Sequence, residues 1–574
     1  MKKYLFFLLA FLILQLMALS VSASNSAGSG CGCGDVTATS TAIDKDGNVY
    51  VTGAFNSSYL FSGTNQLTNQ STGKDGCHDM FIVKYDNGGN LQWAKSAGGN
   101  YSDIGRSIAT DASGNVYVTG GFNSSSIDFG GEWILYNTGT NAGSGYGDMF
   151  IAKYDEGGII QWAKKAGGSD NDYGNSIATD AIGNIYVTGT SNSSDLTFGF
   201  VTPPLTYGGS YDMFIVKYNT NGDGVWTKSA GGSGDDNGSC IAIDGSSVYV
   251  TGWFNSSSID DYDILINKYD INDGTVYWSK TAGGTGNDYG TSITTDASGV
   301  YVTGYFGSPS ISFGGTDPLS IEGDYNMFIV SYDAGGTFRW ASSAEGSLWN
   351  EGQGIATDGI GNVFVTGGFA GTSITFGGVL LKNNRNRGVD IFIVKYHTVN
   401  GNAQWARAAG GSKVDIGKGI VTDAFGKVFV TGYFQSTSIT FGELPPLNIR
   451  SVYTNTFIAQ YDADGSALWA KAVIGTCVQG KPKSTNAGLN DEPINGLTIY
   501  PNPTRGMVIV STASSQSAIN NVSVVNVIGK EVLIPQFTTG SNEVEIDLSS
   551  QPKGLYILLI HAGEDFYSRK IILE

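Results

Sequence analysis

The sequence predicts an all-β chain: a seven-bladed β-propeller of four-stranded antiparallel blades, followed by a small Ig-like β-sandwich. Three observations carry this. The stretch from Asp79 to Phe122 returns in edited form until about residue 470, and self-similarity along a chain marks a repeat architecture. Within each copy a Thr-Gly pair, a tyrosine and a tryptophan come in fixed order, seven times over. No run is long enough, or periodic enough at 3.6 residues, for a core helix.

The anchors fix the register. Thr-Gly runs from Thr52-Gly53 to Thr431-Gly432, and the tyrosines from Tyr85 to Tyr461. The tryptophans are Trp93, Trp162, Trp226, Trp278, Trp340, Trp405 and Trp469. Each unit divides into four short runs, here called strands A to D. In the second unit these are SIATD (Ser107–Asp111), VYVTG (Val116–Gly120), MFIAKY (Met149–Tyr154) and IQWAK (Ile160–Lys164). They are β-branched and aromatic and are bounded by Gly, Asn and Asp, as strands are. Four antiparallel strands repeated radially make a propeller blade.

The pattern D-x-F-I-x-K-Y-D, then W-A-K-x-A-G-G, then D-x-G-x-S-I-A-T-D-x-x-G-N-V-Y-V-T-G resembles the bacterial β-propeller repeat called SBBP. The resemblance covers roughly residues 36–473. Ser331 and Gln460 depart from it by replacing the strand C lysine, and the fourth unit has a much shorter B–C loop. The family implies a propeller and no defined activity.

Composition agrees. Glycine is abundant, at 83 of 574 residues, and proline scarce, at 12, as many tight turns with positive φ require. One tryptophan per blade on strand D is expected to be structural, filling the wedge between neighbouring blades. Each removes roughly 150–250 Å² from water.

Residues 1–23 read as a signal peptide: Lys2 and Lys3, a short apolar core from Leu5 to Leu19, then Val21-Ser22-Ala23. The expected product is an exported protein, not an integral membrane protein after signal removal. Residues 24–35 read as a flexible leader. Residues 36–473 form the propeller. Tight A–B and C–D turns share one face, and long, variable B–C loops share the other with the D–A loops. Each blade is completed by its own four strands, so packing alone is expected to hold the seam between blades one and seven. A disulfide joining Cys477 to Cys31 or Cys33 would clasp that seam in an oxidising compartment.

The D–A loops repeat an acid: Asp103, Asp172, Asp236, Asp288 and Asp415, with Asn350 in unit six. Each caps a turn, or together they bind a cation or polar ligand at the channel mouth. Asp170, Asp172, Asp235 and Asp236 would then offer oxygen ligands suited to Ca²⁺. No other cofactor is expected. One B–C loop, in unit two, holds a cluster of Asp128, Glu132, Trp133 and Tyr136 that reads as a ligand site.

Residues 474–490 read as a linker. Residues 491–574 form a different module of short strands. Pro501, Asn502 and Pro503 with Gly506, then Gly529 and Lys530, then Gly554 and Tyr556, resemble the type A C-terminal sorting domain of the type IX secretion system of Bacteroidota. This implies a route through the periplasm to the cell surface or medium, with the secretion machinery as partner.

No nucleophile elbow, zinc-protease helix or phosphate loop is present, and histidine occurs three times, never at a repeated position. A formal charge of −19 argues against nucleic acid. The reading is a monomeric, secreted or surface-held binding, adhesion or structural module, not an enzyme, with a glycan or protein ligand on the B–C and D–A face. The competing readings are an extracellular propeller enzyme acting on polysaccharide or peptide through a carboxylate site, and a plain spacer.

Overall fold

Seven antiparallel sheets, four of four strands and three extended to six, follow one another along residues 34–476 in a computed structural model. It describes residues 34–476, apart from 63–64, 71–76, 140–146, 200–209, 256–260, 316, 347, 384–387 and 450–452. It also describes 497–573, apart from 502–503, 513–518, 527–530, 534–542 and 563–564. The chain divides into two compact units on either side of the Cys477–Val478 junction. The Cys31, Cys33 and Cys477 clasp, the signal segment, and Asn502, Pro503, Gly529 and Lys530 lie outside the described residues.

In the first sheet Val36–Ile43, Val49–Phe55, Asp79–Tyr85 and Leu91–Ala97 pair in chain order. The other six repeat the order A-B-C-D. Strands B and C are almost wholly buried, Val49–Phe55 and Asp79–Tyr85 throughout, which is why both read as continuous apolar runs. Strand A of each unit lies against strand A of the next, and strand A of the seventh, Asp415–Thr422, lies against Val36–Ile43 of the first.

The tryptophans explain how sheets are joined. Each lies over the positive-φ glycine in the C–D turn of the following unit. A Cβ added to Gly158 would come within 2.8 Å of the Trp93 ring, and one on Gly89 within 2.8 Å of Trp469. Only glycine combines that conformation, φ 78° and 75°, with that close approach. Six of the seven indole N–H groups donate to a carbonyl of the same turn: Trp93 to Glu156 O at 2.9 Å, and so on to Trp469, which donates to Asn87 O at 3.2 Å. The strand C lysine often joins it, as Lys217 and Trp226 both donate to Ile271 O. Gln460, which replaces that lysine in unit seven, makes the same bond to Asn87 O.

The seam differs from the expectation of packing alone. It carries the tryptophan joint just described and a strand pairing. Tyr59–Ser62, in the first B–C connection, pairs with the last strand D, Ala467–Thr476, matching Tyr59 to Thr476 and Leu60 to Gly475. That pairing extends strand D past residue 473, where the propeller was expected to end. Asp35, assigned to the leader, accepts from Thr454 N at 2.8 Å and so belongs to the joint as well.

The B–C connections are not simple loops. Ser126–Asp128 with Ile134–Tyr136, Ser373–Phe376 with Val379–Lys382, and Ser438–Phe441 with Leu447–Asn448 form hairpins, and all three connections reach back to strand D of the preceding unit. A phenylalanine from each packs on strand C of its own unit, as Phe129 on Phe150 at 5.2 Å and Phe376 on Phe392 at 5.0 Å.

The C-terminal module has two sheets. One orders Leu497–Tyr500, Met507–Thr512 and Glu543–Asp547, and the other Glu531–Leu533, Ile519–Asn526, Gly554–Ala562 and Asp565–Leu573. Val508, Val510 and Ile546 from the first share a core with Val522, Leu558 and Ile571 from the second. Pro501 and Gly554 are exposed, while Gly506 and Tyr556 are buried. Thr504 donates its N–H to Ile572 O of the last strand at 2.8 Å.

Candidate functional site

The repeated D–A acids are the first residues of strand A and are buried. Asp103 accepts from Ser124 Oγ at 2.6 Å, Asp288 from Ser308 Oγ at 2.6 Å and Asp415 from Ser436 Oγ at 2.7 Å. Asp172 accepts from Ser193 Oγ and Gly168 N, both at 2.8 Å, and Asp236 from Gly232 N at 2.6 Å. This is the turn-capping geometry. Asp170 offers its N–H to Ser193 Oγ, and Asp235, whose charge acts on Asp236, accepts from Tyr211 N. Among the described residues no group of three or more acidic, histidine or cysteine side chains converges as a metal site would.

Burial pushes the Asp172 carboxyl up to about 7 against its serine hydrogen bonds, and Asp236 and Asp288 up to about 6. Asp79, which opens a strand C, also rises to about 7 through burial. A carboxyl raised on folding holds its proton more tightly folded than unfolded. Its contribution is complete below the unfolded value, near 3.8, and is lost as pH rises through the folded value. Thermal melts should therefore show lower stability at pH 8 than at pH 5. Asp172→Asn, which copies Asn350 of unit six, should flatten that slope; a slope unchanged in the variant would contradict the assignment.

Strand A also carries a β-bulge at one position in every unit, where one residue is left without a cross-strand partner. The seven are Thr39, Arg106, Asn175, Ser239, Thr291, Gln353 and Lys418. Bulges re-aim side chains, and here they reach to neighbouring units. Arg106 Nη1 donates to Asn175 Oδ1 at 3.1 Å, and Lys418 Nζ to Gln353 Oε1 at 3.0 Å. Gln353 in turn donates to Glu351 at 2.6 Å. Burial raises the Glu351 carboxyl and lowers the Lys418 ammonium, each partly offset by the other's charge.

Beside this polar set lies an aromatic arc supplied by units four and five. Its members are Tyr262, Trp253, Tyr289, Tyr305 and Tyr325, all partly exposed. Successive ring centroids stand 4.7, 5.9, 5.0 and 5.5 Å apart. Trp253 and Tyr305 follow the Thr-Gly pair, as Tyr433 does in unit seven, where units one, two, three and six have Ala54, Gly121, Thr190 and Gly368. Unit four is also the one with the short B–C connection, Asn255 to Tyr262. Negative charge lies at one end of the arc, since Glu351 acts on both Tyr305 and Tyr325.

The residues expected as a ligand site in unit two lie along one hairpin. Trp133 is partly buried against two cores, one of them containing Ile127 and Phe129, while Tyr136 is 67% exposed on the hairpin edge. Comparing the residue after Thr-Gly across the seven units is the sequence signal that finds the arc instead.

Comparison with known proteins decides the two modules. A secretion system C-terminal sorting domain matches residues 498–574, and a β-propeller repeat matches residues 92–124 and 161–197. This chain carries SBBP propeller repeats and a type IX secretion sorting domain. The sorting domain directs it to secretion and the cell surface through the type IX system of Bacteroidota. An uncharacterised WD repeat-containing protein, L264, of Acanthamoeba polyphaga mimivirus is 26% identical over 64% of this chain and 32% of its own length. The regulatory protein FlaEY of Caulobacter vibrioides is 30% identical over 35% of this chain and 21% of its own. The chain thus spans about a third or less of either relative. Among solved structures, the β-propeller domain of the trilobed protease from Pyrococcus furiosus, described as having an open velcro topology, is 9% identical. It covers 76% of this chain and 98% of that one, with a TM-score of 0.33.

Proposed function

We propose that the seven sheets are blades of a closed seven-bladed propeller, that the C-terminal module is an Ig-like sandwich, and that the propeller is a surface-displayed module that binds glycan. The joint from Trp469 to Asn87 supports closure, because it repeats between the last and first units the contact made between all the others. The observation that carries the binding role is the arc. Five partly exposed aromatic rings in contact, on units that differ there from most of their neighbours, serve no need of the repeat. Ring faces stack on the apolar faces of pyranose rings, while the phenol hydroxyls and the Glu351–Gln353–Lys418 set supply hydrogen bonds to hydroxyl groups. The reading is of binding without turnover. A panel of immobilised cell-envelope and plant polysaccharides, probed with the full secreted chain, tests it. Trp253→Ala should lose retention by tenfold or more, about 1.4 kcal/mol, at unchanged melting temperature. Equal retention of variant and parent would contradict the reading.

A further inference from the structure

Arg106 is the bulge residue of unit two and stands in a small pocket lined by Ser102, Ile104, Gly121, Asn123 and Tyr173. Its guanidinium lies over the Tyr173 ring, 4.5 Å from the centroid. Gly121 makes room for that ring, because a Cβ there would come within 2.4 Å of it. One fork nitrogen donates to Asn175 Oδ1. The buried Nε–H has no acceptor, and no carboxylate pairs with the guanidinium among the described residues. Among the described residues, Tyr173 is the titratable group that acts on it. This occurs in a chain of net charge −19, where acids are plentiful and a partly buried guanidinium is normally matched with one. The pocket is wired to the arc: Asn175 Nδ2 donates to Gly238 O at 3.1 Å and approaches Asn237 Oδ1 at 3.4 Å, and Asn237 sits opposite Trp253 across the sheet.

We infer that Arg106 heads an anion subsite, and that the glycan on the arc is an acidic one whose carboxylate seats against the guanidinium. This rests on the proposed binding role and adds the chemical class of ligand. A carboxylate accepts two parallel N–H bonds along one edge of a guanidinium, a planar, paired geometry that a lysine cannot reproduce. Stacking on Tyr173 fixes the plane of the fork in advance.

The test is affinity electrophoresis of the full chain in gels holding polygalacturonate, dextran sulfate or dextran, with Arg106→Gln, Arg106→Lys and Trp253→Ala alongside. Glutamine already occupies this ring at Gln353, so Arg106→Gln keeps the local hydrogen-bonding character. The parent should bind polygalacturonate and bind dextran far more weakly, with affinity falling as salt rises. Arg106→Gln should lose about thirtyfold or more on polygalacturonate, and Arg106→Lys, which keeps the charge without the fork, should lose part of that. Equal binding of dextran and polygalacturonate, or full binding by Arg106→Gln or Arg106→Lys, would overturn the subsite. If Trp253→Ala still lost dextran, the arc would stand without it. Preference for dextran sulfate would overturn the carboxylate assignment. Binding to none of the three, with Trp253→Ala behaving as parent in the broader panel, would remove both.

Discussion

Trp226→Ala should destabilise the whole propeller by about 3–5 kcal/mol. The indole is 8% exposed, contacts the core shared by units three and four, and covers Gly274 of the next C–D turn. Removing it leaves a cavity, exposes that turn, and frees the Ile271 carbonyl from one of its two donors, with Lys217 remaining. The loss is not local, because the joint is one of a repeating set that links each unit to the next. A single cooperative melt displaced to lower temperature is the expected record. Local loss with the main transition unmoved would mean that the joints act independently.

Deleting Leu497–Glu574 should abolish export to the surface and leave a folded propeller in the periplasm. The deleted segment has its own core, from Val508 to Ile571, and holds the matched sorting domain. The remainder forms a separate compact unit. Fractionation with a melt of the periplasmic product reads both halves of the expectation. Surface or medium localisation of the deletion would contradict the sorting role, and absence of a cooperative melt would contradict the independence of the propeller.

Much of this was legible in the sequence, for a physical reason. Strands B and C are buried on both faces, so their residues answer to packing and repeat closely, as in DMFIVKY at Asp79 and again at Asp212. The tryptophans repeat because each must fit a glycine turn of fixed shape. The B–C hairpins were missed although they too repeat: Ser126-Ile127-Asp128-Phe129-Gly130, Ser373-Ile374-Thr375-Phe376-Gly377 and Ser438-Ile439-Thr440-Phe441-Gly442 share one pattern. It is short, lies in segments of unequal length, and acquires meaning only once its phenylalanine meets strand C. The fate of the D–A acids was not legible at all. Whether Asp103 faces solvent or Ser124 depends on a residue 21 positions away that the fold brings to it. The arc was not legible in the repeat pattern, because its members stand at positions whose residues vary between units. Trp253, Tyr305 and Tyr433 all depart from the small residues that follow Thr-Gly in units one, two, three and six.

Placing the ligand on the arc, and not on the unit-two hairpin, is the central claim. Affinity electrophoresis of Trp253→Ala and Trp133→Ala on one polysaccharide gel tests it most directly. Trp253→Ala should run free, as it does in a gel without polysaccharide, while Trp133→Ala is retarded like the parent. Retardation of Trp253→Ala with free migration of Trp133→Ala would place the ligand on the hairpin and contradict the account.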